Sequence, residues 1–156
     1  MAHPLLFHAV AAFFVGAVAV LLVHQPVVAL LHAAGLFPVD AFSLRPTSPF
    51  GLPVFLSLAF WGGVWTVPIA LALNRLPRGW PYWAGAVLLC SIPPSLTSWF
   101  IIAPLKGLPP SAFARSIGVG NALLANGIWG VGVGILWSGI AKVTQRSARS
   151  GLAGSR

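Results

Sequence analysis

Four long apolar stretches, separated by short segments rich in proline, glycine and basic residues, occupy almost the whole chain. They run over about 4–34, 54–73, 82–103 and 117–141. At about 1.5 Å per helical residue, each can cross the roughly 30 Å hydrocarbon core of a bilayer as a helix. The pattern therefore predicts an all-α integral membrane bundle of four transmembrane helices.

The composition supports lipid as the main solvent of this protein. The chain has 156 residues, of which 58% are hydrophobic and only 6% are charged. A soluble domain carries about 25% charged residues. We expect one transmembrane domain over residues 1–141, followed by a basic cytoplasmic tail over 142–156 whose end is disordered.

Prolines mark the two places where the helical pattern is expected to fail. The connection 35–53 contains four prolines and is predicted to be irregular. Its apolar residues argue against free solvation, so it should lie at the membrane interface or fold onto the bundle. The third helix is predicted to kink or break at Pro93-Pro94, where nearby hydroxyls such as Ser91 and Ser95 can satisfy exposed carbonyls.

Basic residues give the predicted orientation. Of nine Lys and Arg, six lie in the turn around Arg75 and Arg78 or in the tail, and three lie in the other two loops with the single acidic residue, Asp40. Positive charge favours the cytoplasmic side, so both termini are predicted to be cytoplasmic. The basic residues alternate with apolar runs, which is atypical of nucleic-acid binding and indicates the lipid bilayer as the partner.

A polar pair in the first stretch is the main candidate for a site. His24 and Gln25 precede Pro26 near mid-membrane, where polar groups usually face a protein interior or a wet cavity. They either bind a ligand or handle protons, or they only hydrogen-bond to neighbouring helices. The sequence leaves open whether His24 faces a cavity or a dry contact. The full candidate intramembrane site comprises His24, Gln25, His32, Ser95, Asn121 and Asn126.

The inventory of reactive side chains argues against several chemistries. The chain has no Glu, one Asp and one Cys, so a carboxylate pair for acid–base catalysis and a cysteine metal site are excluded. All four histidines lie on or just before the first helix, which disfavours bis-histidine haem ligation within one chain. We therefore predict no catalytic residues, no metal and no cofactor, and an enzyme is disfavoured.

The fourth stretch is rich in glycine. Gly130 and Gly134 form a small-residue motif with three residues between them, and Gly127 lies one turn earlier. Such residues allow two helix backbones to approach closely. The motif predicts a tight helix contact, either within this chain or with another one.

Three segments carry a resemblance. Leu22–Pro26, the proline-rich loop through Arg45-Pro46, and the stretch 56–65 with its Trp-Gly-Gly-Val-Trp motif resemble a group of small, uncharacterised bacterial inner-membrane proteins. The resemblance covers roughly the first half of the chain. It implies a four-helix protein of the bacterial inner membrane and no particular activity.

Three classes of function remain. The first is an accessory or interaction subunit of a membrane assembly, with other membrane proteins or a second copy of the chain as partners. The second is a small oligomeric transporter or channel with a polar site around His24 and Gln25. A membrane enzyme acting on a lipid or quinone is the least favoured, because its acid–base pair would have to come from histidines on one helix.

Overall fold

The computed structural model describes residues 4–48 and 50–153, with side chains for 5–48 and 50–141. Four helices in it are long and apolar enough to cross a membrane, which confirms the predicted all-α four-helix bundle. We call them the first to fourth spans; in order they are Leu5–Ala33, Val54–Leu73, Trp80–Leu105 and Val119–Ala141.

The helices are α1 (Pro4–Ala19), α2 (Gln25–Ala33), α3 (Val54–Leu73), α4 (Trp80–Thr97), α5 (Ala103–Leu105), α6 (Ala112–Ile117) and α7 (Val119–Ala153). The connection 35–53, which the sequence predicts to be irregular, ends in a two-stranded antiparallel hairpin of β1 (Pro46–Thr47) and β2 (Leu52–Pro53). The backbone of α7 continues through most of the basic tail, whereas the sequence predicts a disordered end. The last three residues lie outside the described part of the chain.

Two spans contain a π-helical turn directly before an X-Pro step. The first has the turn Val20–His24 followed by Gln25-Pro26, and the third has Ser98–Ile102 followed by Ala103-Pro104. A proline ring collides with the carbonyl four residues earlier in a regular α-helix. A π turn is wider and gives that ring room, so the first span continues through Pro26 as α2.

The Pro93-Pro94 pair lies inside a helix without interrupting it. α4 is helical on both sides of the pair, and the only π turn in the described part of this span begins four residues later, at Ser98. A break at the two prolines is therefore the wrong expectation. A kink in the helix axis there stays a prediction.

The spans pack as two close pairs, the first with the second and the third with the fourth. Glycines make both contacts close. A Cβ atom on Gly16 would collide with Thr66 and with the carbonyl of Gly62, and one on Gly130 would collide with the carbonyl of Ala86. These close contacts, which we call the glycine seams, leave little space between the backbones.

Trp129 joins the two pairs at the centre of the bundle. Its indole Nε1–H donates a hydrogen bond of 3.2 Å to the carbonyl of Gly16. Its ring also packs against Gly62, since a Cβ atom on that glycine would lie 3.4 Å from the ring. The fourth span therefore packs against the seam of the first pair, and the core forms around that contact.

Candidate functional site

The candidate site begins at the π turn of the first span. His24 is the last residue of that turn and Gln25 the first of α2; their side chains are 9% and 2% exposed. Polar side chains this deep in a membrane protein need partners within the bundle. The side chains of His24 and Gln25 reach different partners, because successive residues of a helix point about 100° apart.

His24 faces the fourth span. Its imidazole lies beside the carboxamide of Asn126, whose Nδ2 donates to the hydroxyl of Ser95 at 2.9 Å. These three side chains come from the first, fourth and third spans. One turn before Ser95, the hydroxyl of Ser91 donates to the carbonyl of Leu123 at 2.8 Å. The hydroxyls near Pro93-Pro94 therefore bind the fourth span, whereas the sequence predicts that they satisfy freed carbonyls of their own helix.

Gln25 faces the loop between the first two spans. Its Oε1 accepts a hydrogen bond of 2.7 Å from the backbone N–H of Phe42. Phe42 has a φ of 52°, the left-handed region that non-glycine residues seldom adopt. The buried amide thus holds an unusual turn of the loop against the bundle.

Asn121 and His32 also contact this loop, away from His24. The Nδ2 of Asn121 donates to the carbonyl of Leu36 at 2.7 Å and to that of Ile117 at 3.1 Å. The Nδ1 of His32 lies 2.8 Å from the carbonyl of Phe37. The predicted site residues therefore form two groups. His24, Asn126 and Ser95 meet between spans, whereas Gln25, Asn121 and His32 bind the backbone of the loop.

Within the part of the chain that the structure describes, two buried nitrogens at this site have no hydrogen-bond partner, namely Nδ1 of His24 and Nε2 of Gln25. A buried polar atom without a partner costs about 1–3 kcal/mol. The amide Nε2–H₂ can only donate, while the imidazole Nδ1 donates or accepts according to its tautomer. The imidazole is in addition able to accept or release a proton.

The predicted packing glycines contact the third span of the same chain. Cβ atoms would lie 2.9 Å from the Trp83 ring at Gly134 and 3.4 Å from Val87 at Gly127. With the contact of Gly130 described above, all three face α4. In contrast, a Cβ atom on Gly120 or Gly139 of the same helix would meet no other part of the described chain within 4 Å.

Sequence reasoning missed the loop as a partner of the polar residues. The atoms bound by Gln25 and Asn121 are the backbone N–H of Phe42 and the carbonyl of Leu36, and backbone groups carry no signal of their own in a sequence. The four prolines and the apolar side chains of 35–53 were the available signal, since both oppose a freely solvated loop.

Comparison with family models, with characterised proteins and with solved structures finds no match to this chain. The resemblance to small bacterial inner-membrane proteins therefore stays a prediction. What is established is coarser: the chain has the architecture of a multi-pass integral membrane protein.

Proposed function

We propose that this integral membrane protein is a non-catalytic accessory subunit, which presents the loop 35–53 to another membrane protein. The observation that carries the proposal is the hydrogen bond from the Phe42 N–H to the buried Oε1 of Gln25. A costly polar side chain inside the membrane is used to hold a loop in one conformation. Such preorganisation favours binding of a partner, because less entropy is lost on association.

The loop is held at several other points. Asn121 binds the carbonyl of Leu36, and His32 binds that of Phe37. The hairpin closes the far end, with the Thr47 hydroxyl donating to the carbonyl of Leu52 at 2.8 Å. Three of the six candidate polar residues thus hold the loop, which supports presentation of a surface over handling of a substrate.

The loop that is held this way exposes large apolar side chains. Phe50 is 84% exposed and Leu44 is 76% exposed. Apolar side chains exposed on a structured loop offer a surface on which a partner can dock. The occupant that suits them is the apolar surface of a second integral membrane protein on the same side of the bilayer.

Affinity purification from the native membrane in mild detergent tests this function. The wild-type chain should retain a specific partner, and Gln25→Leu should lose it because the loop is released. Ser91→Ala is the matched control, since it removes a part-buried hydrogen bond between the third and fourth spans that does not involve the loop. Retention of the same partner by Gln25→Leu would contradict the proposal, provided that both variants elute as folded species in size-exclusion chromatography.

A second candidate function is a small oligomeric transporter or channel. The unpartnered Nδ1 of His24 and Nε2 of Gln25 favour it, because they offer a polar site inside the membrane. Proton flux into liposomes, followed with a pH-sensitive dye, should then be lost in His24→Leu and kept in the exposed control His32→Gln. Equal flux in both variants would contradict a site at His24.

We further propose that the protein lies in the inner membrane of a bacterium with both termini in the cytoplasm. The basic residues support this orientation, since six of nine lie in the Arg75–Arg78 turn or the tail. A reporter that works only in the cytoplasm should be active when it is fused after Arg156. Activity of a reporter that works only outside the cytoplasm would overturn the orientation.

A further inference from the structure

A cleft of about 290 Å³ opens at the opposite end of the bundle from the loop 35–53. It lies where the start of the first span, the end of the second and the end of the described fourth span come together. Sequence reasoning assigned it no role. Its lining residues are His8, Leu73, Asn74, Leu76, Arg78, Trp137, Ile140 and Ala141.

The polar side of this cleft is made of donors and one fixed cation. Arg78 brings a permanent positive charge with five N–H donors. The Oδ1 of Asn74 accepts a hydrogen bond of 2.9 Å from Trp137 Nε1–H, which orients the carboxamide and leaves its NH₂ group as the donor. The imidazole of His8 packs edge-on against Trp137, at 6.3 Å between ring centroids.

The guanidinium of Arg78 is held in position by an aromatic ring. Its central carbon lies 5.3 Å from the ring centroid of Tyr82. That ring is buried, and its hydroxyl donates to the carbonyl of Gly134 at 2.8 Å. A cation stacked on a fixed ring is preorganised, so its remaining N–H groups meet an incoming anion without further ordering.

No acidic side chain of this protein can pair with Arg78, so an anion that neutralises its charge has to come from a ligand. Asp40 is the only acidic side chain in the sequence. It lies in the loop before the second span, while Arg78 lies in the turn after it. The second span, Val54–Leu73, crosses the bundle between them, so the two charges are at opposite ends.

We propose that this cleft binds the phosphate group of an anionic ligand, between the guanidinium of Arg78 and the carboxamide of Asn74. An arginine fork matches the geometry of phosphate oxygens. The other wall is apolar, with Leu73, Leu76 and Ile140, and it suits the glycerol and first methylenes of a lipid. An anionic phospholipid is therefore the source that fits the whole cleft, and a free phosphate compound fits its polar half alone.

Titration of the full-length protein in neutral detergent, followed by native mass spectrometry, tests this site. The probes are short-chain phosphatidylglycerol, short-chain phosphatidylcholine and inorganic phosphate. We expect phosphatidylglycerol to bind with a defined stoichiometry, and phosphatidylcholine to bind about tenfold more weakly because its headgroup has no net charge. Equal binding of the two lipids would overturn the proposal.

Variants separate the cleft from general electrostatic attraction. Arg78→Gln should weaken binding of phosphatidylglycerol about tenfold, as expected for loss of a charge-assisted hydrogen bond. Arg78→Lys should recover part of it. Arg75→Gln removes the same charge from the same exposed turn but does not line the cleft, and should change binding by less than about threefold. Equal losses in Arg75→Gln and Arg78→Gln would overturn the site.

The third probe identifies the source of the phosphate. Inorganic phosphate should compete only weakly with phosphatidylglycerol if the apolar wall contributes to binding. Competition at equal affinity would keep the phosphate site but show that the apolar wall adds nothing to binding, which would overturn the preference for a lipid. If inorganic phosphate does not compete with phosphatidylglycerol and Arg78→Gln does not weaken binding, the site itself is overturned.

Discussion

Around Gly16 and Gly62 the first and second spans touch backbone to backbone, whereas around His24 and Gln25 the same first span carries buried nitrogens that have no partner among the described residues. The glycine seams are explained by packing, since the one hydroxyl there, that of Thr66, already donates to the Gly62 carbonyl of its own helix. The polar region costs free energy, and packing gives no reason for it. Regions of a protein that break the rules of stability are the ones where function is expected.

The comparison also separates two uses of the first span. One part, around Gly16, joins the second and fourth spans through close contact and through the Trp129 hydrogen bond. The other part, after the π turn, uses Gln25 to hold a loop. The π turn at Val20–His24 lies between them. Substitutions on its two sides should therefore have different consequences.

The largest effect is expected in a glycine seam. Gly62→Leu places a side chain against Val20, with the Gly16 carbonyl and the Trp129 ring 3.3 and 3.4 Å from its Cβ atom. Overpacking typically costs about 1–3 kcal/mol, and a leucine at a backbone contact should reach at least the upper end. Thermal stability measured by size-exclusion chromatography in detergent should fall sharply.

Gly139→Leu is the control for that substitution. Gly139 lies on the fourth span, and no other described part of the chain comes within 4 Å of its Cβ position, so stability should fall by less than about 0.5 kcal/mol. An equal loss of stability in the two variants would show that the seams do not determine the fold.

A smaller effect is expected where polar groups join the spans. Asn126→Leu removes the bond to Ser95 and the contact with His24. Hydrogen bonds between membrane helices contribute about 0.6–2 kcal/mol, so we expect a loss in that range on reversible unfolding in mixed micelles. Ser138→Ala, which removes only a hydrogen bond within its own helix, should change stability less.

How far the sequence predicts this structure depends on the kind of interaction. The four spans can be predicted from apolar runs such as 54–73, because the ability of a helix to cross a bilayer depends on the length and hydrophobicity of that segment alone. The contacts of Gln25 with Phe42 and of Asn126 with Ser95 join residues far apart in sequence. No local pattern encodes which residues those side chains reach.

The two prolines that follow π turns illustrate the same limit. Pro26 and Pro104 cannot donate a backbone hydrogen bond, yet helix is present on both sides of each. No local pattern in the sequence predicts the widened turn that precedes each of them. The cleft at Arg78 was missed for the same reason, since three separate spans build it.

The smallest effect on stability is expected at His24. His24→Leu loses the contact with Asn126 but also removes a buried nitrogen that has no partner. Replacing such a group by an apolar one is close to neutral, so the free energy of unfolding should change by less than about 1 kcal/mol. If His24→Leu loses more stability than Asn126→Leu does, Nδ1 of His24 has a partner in the folded protein and this interpretation of the site is wrong.

Photo-crosslinking in native membranes tests the central claim most directly. A benzophenone side chain replaces Phe50 in the loop or, as the control, Phe14, which is exposed on the first span. We expect a protein adduct of one defined mass at Phe50, none at Phe14, and loss of the adduct when Gln25→Leu is added. Only lipid adducts at Phe50, or a protein adduct that survives Gln25→Leu, would contradict presentation of the loop to a partner.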